Sequence, residues 1–132
     1  MIHGLNHITI AVRDIDKSFD FYVNLLGMKP HAKWSKGAYL SLGNLWFCLN
    51  LDESFPSCDY THIAFDILEK NFKDMKKLML ENDVKEWQKN SSEGNSIYIL
   101  DPDGHKLEIH VGSLKSRLKT MKSENFPNLE FF

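Results

Sequence analysis

Among the residues whose side chains commonly bind transition metals, three are candidates for one site because of their positions in the sequence: His7, His62 and Glu108. Each histidine lies at the start of a segment of alternating, β-branched residues (7–12 and 61–66), a pattern that predicts a strand. A single histidine on a strand is usually a hydrogen-bonded or surface residue, so the repeat of the pattern makes the pair a candidate. Two imidazoles and one carboxylate suit Mn²⁺, Fe²⁺ or Zn²⁺ and leave coordination positions open for a substrate.

The segments that follow the two histidines repeat one order of elements. A helical pattern ends at Gly27, twenty residues after His7, and a second ends at Asn82, twenty residues after His62. Three predicted strands follow each helix, near 29–33, 37–42 and 45–51 in the first copy and near 84–87, 96–100 and 106–111 in the second. The sequence therefore predicts an α+β fold of two βαβββ modules.

The length of 132 residues suits one compact unit. We predict a single domain with module one at 1–52, a polar linker containing a proline at 53–59 and module two at 60–112. The remaining segment, 113–132, is predicted to form a C-terminal helix with a basic face and a tail.

The composition limits the classes of function. Hydrophobic residues make up 42% and charged residues 26%, which is ordinary for a soluble globular protein, and the formal net charge of −2 argues against nucleic acid as a partner. The chain has no apolar run of membrane-spanning length and no signal-peptide pattern at its start, so we expect a cytoplasmic protein without membrane association. The two cysteines form no paired metal motif and suit a reducing compartment.

The repeat also gives Glu108 a counterpart. Glu108 lies four residues after Gly104 of a predicted hairpin turn, and Cys48 lies four residues after Asn44 of the corresponding turn. Cys48 could be a fourth ligand, although a small residue lining an open coordination position is the favoured interpretation. His110 shares a strand face with Glu108 and is an alternative ligand, while a buried Glu108 paired with a Lys or Arg is the alternative without a metal.

The loop 90–96 is dense in carbonyl and hydroxyl groups. A flexible connector is the commoner role of such a composition, but the loop could also hold a monovalent cation through Asn90, Ser92, Gly94 and Ser96. Tyr98 would share a strand face with Ser96 and could bind an anionic group together with Thr9 and Arg117. The sequence leaves open whether four aromatic residues belong to a pocket or to the core: Trp34, Tyr39, Trp46 and Tyr60.

Many ordered motifs resemble one known group. The paired modules and the spacing of His7, His62 and Glu108 resemble the vicinal oxygen chelate superfamily. Within it, the chain is similar to the fosfomycin-resistance glutathione transferases over nearly its whole length. The motifs are Gly4-Leu5-Asn6-His7, Gly37-Ala38-Tyr39-Leu40, Leu45-Trp46, Asp59-Tyr60-Thr61-His62, Ser92-Glu93-Gly94, Asp101-Pro102-Asp103-Gly104-His105 and Leu114-Lys115-Ser116-Arg117-Leu118.

The resemblance implies a domain-swapped homodimer in which module one of one chain pairs with module two of the other. Each metal would then take His7 from one subunit and His62 and Glu108 from its partner. The implied reaction is addition of glutathione thiolate to the epoxide of fosfomycin, with Mn²⁺ acting as a Lewis acid on the epoxide oxygen.

The resemblance also implies roles for individual residues. Thr9, Ser92, Tyr98 and Arg117 would contact the phosphonate, while Trp46 and Tyr60 would line the antibiotic pocket. Tyr39 would lie near the glutathione thiol, and Thr9 and Tyr39 are the residues expected to assist the reaction. The loop residues Asn90, Ser92, Gly94 and Ser96 would hold K⁺.

This chain departs from the family at two cationic positions. Gln88 and Ser91 stand where members often carry Lys and Arg, and Lys89 is the residue that could compensate at the phosphonate. Alternative functions are a related bacillithiol or cysteine transferase, a fosfomycin epoxide hydrolase and a metal-free protein that sequesters the antibiotic. The segment 33–38 has no carboxylate of the kind that the hydrolase relatives carry there, which disfavours hydrolysis.

Overall fold

A computed structural model describes residues 1–91 and 93–132. Its elements in chain order are β1 (His7–Val12), α1 (Ile15–Phe19) with a π-helical continuation (Asp20–Leu25), β2 (Lys29–Trp34), β3 (Gly37–Leu42), β4 (Leu45–Leu51), β5 (Ile63–Asp66), α2 (Glu69–Glu81), β6 (Glu86–Gln88), β7 (Ser96–Leu100), β8 (Lys106–His110) and α3 (Leu114–Met121). This order confirms the α+β class and the two βαβββ modules. No helix in the described ranges is long and apolar enough to span a membrane.

The chain divides into two compact units. Unit 1 comprises Met1–His62 and Leu100–Lys106, and unit 2 comprises Ile63–Ile99 and Leu107–Phe132. The turn between β7 and β8 therefore groups with the first unit. The first sheet has the strand order β1-β4-β3-β2 with β1 parallel to β4, and the second has the order β5-β8-β7-β6 with β5 parallel to β8. The identical order confirms the internal repeat.

The first helix differs from a regular amphipathic α-helix. The Asp14 carboxylate accepts from the N–H of Lys17 at 3.0 Å and caps its start. From Asp20 the turns widen to π-helical spacing, so that the N–H of Leu26 donates to the carbonyl of Phe21 at 2.9 Å. We attribute the burial of both Phe21 and Tyr22, which are adjacent in sequence, to this wider turn.

The second helix ends at Asn82 without a left-handed backbone conformation at that residue. Asn82 follows the helix as expected, but its φ is −102°, and the positive φ of 52° belongs to Asp83. The Asn82 side-chain amide donates to the carbonyl of Leu78 at 2.9 Å. This bond satisfies one of the last helical carbonyls without a left-handed residue at position 82.

The core of unit 1 lies on one face of its sheet. Within β1, Ile10 and Val12 are buried while His7 and Thr9 are exposed, as the alternation of a half-buried strand requires. Val12 packs in the same core as the fully buried Leu40 and Phe47 of the neighbouring strands. Burial of each such side chain stabilises the fold by about 1.5–3 kcal/mol and fixes the opposite face of β1 outward.

Candidate functional site

An aromatic row lies on the exposed face of the first sheet. The parallel register aligns His7 with Trp46, and their rings are 4.6 Å apart. Trp46 meets Tyr39 edge-on at 5.3 Å, and Tyr39 meets Trp34 edge-on at 4.9 Å. These three aromatic side chains are 40–44% exposed, and Tyr60 is 60% exposed. The four aromatic residues whose place the sequence left open are therefore outside the core.

A cavity of about 290 Å³ adjoins this row, bordered by the β3–β4 turn. Tyr39 and Trp46 line one part of it, and His31 and Ser41 line another, joined by a 2.6 Å hydrogen bond between the His31 ring and the Ser41 hydroxyl. The sheet thus presents an open, concave surface lined by aromatic side chains, with His31 and Ser41 among its polar residues.

The two candidate histidine ligands are held in one tautomer. Nδ1 of His7 is 2.6 Å from the side-chain oxygen of Asn6, and Nδ1 of His62 is 2.7 Å from the carbonyl of Tyr60. Both oxygens are acceptors, so each Nδ1 carries the proton and Nε2 is the basic nitrogen of the neutral ring. That is the form in which imidazole binds a metal, and the residues present fit a metal centre.

The turn before His62 is braced by several bonds. The Asp59 carboxylate accepts from the Ser57 hydroxyl and, at 2.8 Å, from the N–H of Thr61. These hydrogen bonds lower the pKa of Asp59 to about 2. The Lys106 ammonium donates to the Ser57 carbonyl at 3.0 Å and also to the carbonyl of Asp59. The bracing fixes the backbone whose Tyr60 carbonyl orients His62.

Glu108 lies in the second sheet and is 8% exposed. The Ser96 hydroxyl donates to its Oε1 at 2.6 Å, and Nδ1 of His110 lies 2.6 Å from that hydroxyl and 3.5 Å from Oε1. In β8, Glu108 is aligned with Ala64, which is two residues after His62.

The first sheet has the same register around Cys48. Cys48 in β4 is aligned with Thr9, which is two residues after His7, and is 4% exposed. Glu108 and Cys48 therefore occupy equivalent positions of their sheets, as the sequence repeat predicts.

The loop that precedes β7 closes on itself. The Asn90 side-chain amide donates to the carbonyl of Gly94 at 2.9 Å. Gly94 has a φ of +78°, and a Cβ there would lie 2.5 Å from the carbonyl oxygen of Val111, so this position requires glycine. Among the described residues, the side-chain oxygen that is buried without a hydrogen-bond partner is Oε2 of Glu93. The predictions for Ser92 lie outside the described residues.

The predicted anion-binding residues are distributed over both units. Thr9 is exposed on β1 in unit 1. In unit 2, Tyr98 is 3% exposed and meets the ring of Trp87 edge-on at 5.2 Å. Arg117 is half-buried on α3, and Lys89 is exposed and bonded to Glu86 at 2.9 Å.

Residues 1–91 and 93–132 of a single chain contain no group of three or more His, Cys, Asp or Glu side chains arranged to hold one metal ion. His7 and His62 belong to unit 1, and Glu108 belongs to unit 2. If the metal is bound between two subunits, His7, His62 and Glu108 do not have to lie together within one chain.

Sequence reasoning missed several supporting residues. Asn6 directly precedes His7, and Asp59 begins a turn of the type that aspartate favours, so both had a local signal. Ser96, predicted to bind a cation and the substrate, also donates its hydroxyl proton to Glu108, a contact that the sequence analysis did not predict. His105, whose position in a turn predicts a solvated side chain, is instead half-buried, and its Nε2 lies 2.7 Å from the carbonyl of Ala11.

A model of the Glyoxalase/Bleomycin resistance protein/Dioxygenase superfamily matches residues 4–109. The chain is 45% identical over 136 residues to the glutathione transferase FosA of Serratia marcescens, covering 99% of this chain and 96% of that protein. It is 40% identical over 139 residues to the metallothiol transferase FosB of Staphylococcus haemolyticus, covering 100% of this chain and 99% of that protein.

Solved structures of a fosfomycin resistance protein, FosX of Listeria monocytogenes, have the same fold. A monoclinic form at pH 5.75 has a TM-score of 0.83 and 32% identity, and covers 90% of this chain and 99% of its own. A point mutant complexed with Mn(II) and 1S,2S-dihydroxypropylphosphonic acid has a TM-score of 0.82 and 31% identity with the same coverage.

Proposed function

Because the chain belongs to the Glyoxalase/Bleomycin resistance protein/Dioxygenase superfamily and, within it, to the fosfomycin-resistance thiol transferases, we propose that it is a Mn²⁺-dependent fosfomycin glutathione transferase. The observation that carries the proposal is the pair of oriented imidazoles, His7 and His62, each of which has Nδ1 within hydrogen-bond distance of an oxygen acceptor. The identity of 45% to a glutathione transferase supports glutathione as the thiol.

His7 of one subunit, with His62 and Glu108 of its partner, would hold the metal in a domain-swapped homodimer. The register supports this set, because Glu108 is aligned with Ala64, two residues after His62 on the adjacent strand. Two neutral imidazoles and one carboxylate suit Mn²⁺, and also Fe²⁺ or Zn²⁺. When bound, the metal would supply Lewis-acid assistance to the epoxide oxygen.

The aromatic row would form the antibiotic pocket. Trp46 and Tyr60 are exposed and each lies against a candidate ligand, His7 and His62 respectively. Apolar walls beside the reacting carbon exclude water, which otherwise competes with the thiolate. Tyr39 lies next to Trp46 on the same face and would sit near the glutathione sulfur.

The remaining proposed contacts bind the phosphonate and a monovalent cation. The phosphonate would be held by the hydroxyls of Thr9, Ser92 and Tyr98 and by the cations of Arg117 and Lys89. K⁺ would lie in the loop of Asn90, Ser92, Gly94 and Ser96, and the buried Glu93 oxygen in that loop supports a cation there.

The proposed addition of glutathione to fosfomycin needs no further reactant. The glutathione thiol loses its proton to solvent, its sulfur forms a bond to an epoxide carbon, the C–O bond to that carbon breaks, and the oxygen takes a proton from solvent. The protein's contribution is to place the sulfur and the carbon within reach of each other and to hold the phosphonate while the ring opens. Cys48 and Cys58 are both free thiols, which suits a reducing compartment, and we propose a cytoplasmic location.

A second thiol is the main alternative, because the chain is also 40% identical to a metallothiol transferase. Hydrolysis has less support. The segment 33–38 lacks a carboxylate, and a Cβ at Gly37 would lie 2.5 Å from the Trp34 ring, which leaves no room for an acidic side chain there. A sequestering protein would need no pre-oriented imidazoles.

The test is product analysis. Mn²⁺-loaded protein is incubated with fosfomycin and glutathione, bacillithiol, L-cysteine or no thiol, and the products are identified by mass spectrometry. A glutathione adduct that disappears in Glu108→Gln, which keeps the shape and removes the charge, supports the proposal. If the bacillithiol or cysteine adduct forms in preference, that thiol and not glutathione is the co-substrate. A diol would indicate hydrolysis, and tight binding of fosfomycin without a product would indicate sequestration.

Shared sites have their own test. His7→Ala and Glu108→Ala homodimers are each expected to be inactive. After subunit exchange at equal concentrations, half of the dimers are mixed, and one of the two sites of each mixed dimer regains all three ligands, so about a quarter of wild-type activity should return. No recovery, with exchange shown by native mass spectrometry, would contradict sites shared in this way.

A further inference from the structure

The second sheet carries a hydrogen-bonded chain that ends at the proposed carboxylate ligand. The Ser96 hydroxyl has one proton, which it donates to Oε1 of Glu108 at 2.6 Å. Nδ1 of His110 lies 2.6 Å from the same hydroxyl oxygen, so this nitrogen must be the donor and the serine oxygen the acceptor. Protons are therefore ordered from His110 through Ser96 to Glu108.

Two glycines lie close to the imidazole of His110. A Cβ at Gly94 would lie 3.1 Å from the ring, and a Cβ at Gly112 would lie 2.6 Å from its Nε2. Both glycines have positive φ, +78° and +153°, so the backbone on each side is shaped for a position without a side chain. A side chain at either glycine would therefore crowd the ring that contacts Ser96.

We propose that His110 is a positioning residue that acts through the Ser96 hydroxyl to fix the rotamer of the Glu108 carboxylate for metal binding. The inference rests on the proposed role of Glu108 as a ligand. The direct separation of 3.5 Å between His110 Nδ1 and Glu108 Oε1 is longer than a good hydrogen bond, so the serine link is the effective contact. Hydrogen-bonded groups behind a ligand typically contribute about 10–100-fold to metal affinity.

The experiment measures Mn²⁺ affinity directly, from the electron paramagnetic resonance signal of free Mn²⁺, without antibiotic or thiol. His110→Phe keeps a ring between the two glycines and removes the donor, whereas His110→Asn keeps a donor near the Nδ1 position and removes the ring. We expect about 10–100-fold weaker binding in His110→Phe and in Ser96→Ala, and recovery to within about threefold of wild type in His110→Asn.

The double variant His110→Phe with Ser96→Ala should bind Mn²⁺ no more than about threefold more weakly than either single variant, because both act along one path. His3→Phe, at an exposed N-terminal position, is the matched control and should match wild type.

The inference would be overturned if His110→Phe bound Mn²⁺ with wild-type affinity. It would also be overturned if His110→Phe and His110→Asn weakened Mn²⁺ binding equally, or if the losses of affinity in the double variant were additive. Glu108→Gln separates the two proposals, because unchanged Mn²⁺ binding in that variant would remove Glu108 as a ligand and the proposed metal set with it.

Discussion

The contact between Tyr22 and Asp101 offers a direct test of how the β7–β8 turn is anchored. The phenol of Tyr22 is fully buried and donates to the Asp101 carboxylate at 2.7 Å, and Asp101 also accepts from the N–H groups of Asp103 and His105. Burial raises the pKa of Asp101 above its ordinary value, while the Tyr22 hydroxyl opposes that rise. Tyr22→Phe removes this donor and leaves the carboxylate with its two backbone bonds.

The expected loss follows from the charge of the acceptor. Hydrogen bonds to ionised groups contribute about 1.5–3 kcal/mol, so Tyr22→Phe should lower the free energy of unfolding by about that amount at pH 7. At roughly 2.1 cal/mol/K of unfolding entropy per residue, a chain of 132 residues loses about 4 °C in Tm per kcal/mol, which gives a decrease of about 5–11 °C.

The pH dependence has a defined sign. The Tyr22 bond favours ionised Asp101, so its contribution is full where Asp101 is ionised in the folded state and is lost as pH falls through the raised pKa of Asp101. The difference between wild type and Tyr22→Phe should therefore shrink as pH is lowered from 7 towards the unfolded pKa of about 3.9.

Urea unfolding at several pH values measures this difference, and Tyr39→Phe, at a half-exposed tyrosine, is the control with an expected change near zero. A loss below about 0.5 kcal/mol at pH 7, or a loss that is the same at low pH, would refute a charge-assisted anchor.

Further predictions concern other parts of the candidate site. Asn6→Ala should weaken Mn²⁺ binding about tenfold, measured by calorimetry, because His7 loses the acceptor that fixes its tautomer. Asp59→Asn should make the stability of the protein less dependent on acid pH. The lowered pKa of Asp59 stabilises the folded state above about pH 3.9, and this contribution is lost as the pH falls towards about 2. The urea midpoints of the two proteins should therefore differ at pH 7 and converge near pH 2. Arg117→Ala should raise the KM for fosfomycin by about tenfold or more with a smaller change in kcat, and an unchanged KM would remove Arg117 from the phosphonate site.

The fold was predictable because its signals are local and occur twice. Alternating residues identified β1 and β5, and glycines or polar residues marked the turns, so the order of both modules followed from short windows. The π-helical turn after Phe19 was not predictable, because apolar spacing over two turns does not distinguish it from an α-helix.

The candidate site was predictable only at positions that correspond between the two sequence modules. The matched positions of Glu108 and Cys48 followed from counting residues after equivalent turns, and the register of both sheets agrees. The bond between Tyr22 and Asp101 joins residues 79 apart, and the contact of His105 with Ala11 joins residues 94 apart. No pattern within one segment encodes such pairs, since they depend on how distant strands and turns pack.

The register comparison gives a physical reason for one carboxylate in the proposed set rather than two. Cys48 is aligned with Thr9 and Glu108 with Ala64, so the same position of the repeated sheet holds a small buried thiol in one copy and an acid in the other. A buried acid requires hydrogen-bonding groups, and Ser96 supplies a hydroxyl to Glu108. In the first sheet the equivalent strand, β3, begins with Gly37, which has no hydroxyl to offer at the position that Ser96 occupies in β7. The two copies of the fold have thus diverged, one towards a buried acid with a supporting hydroxyl and one towards a small buried thiol beside an aromatic row.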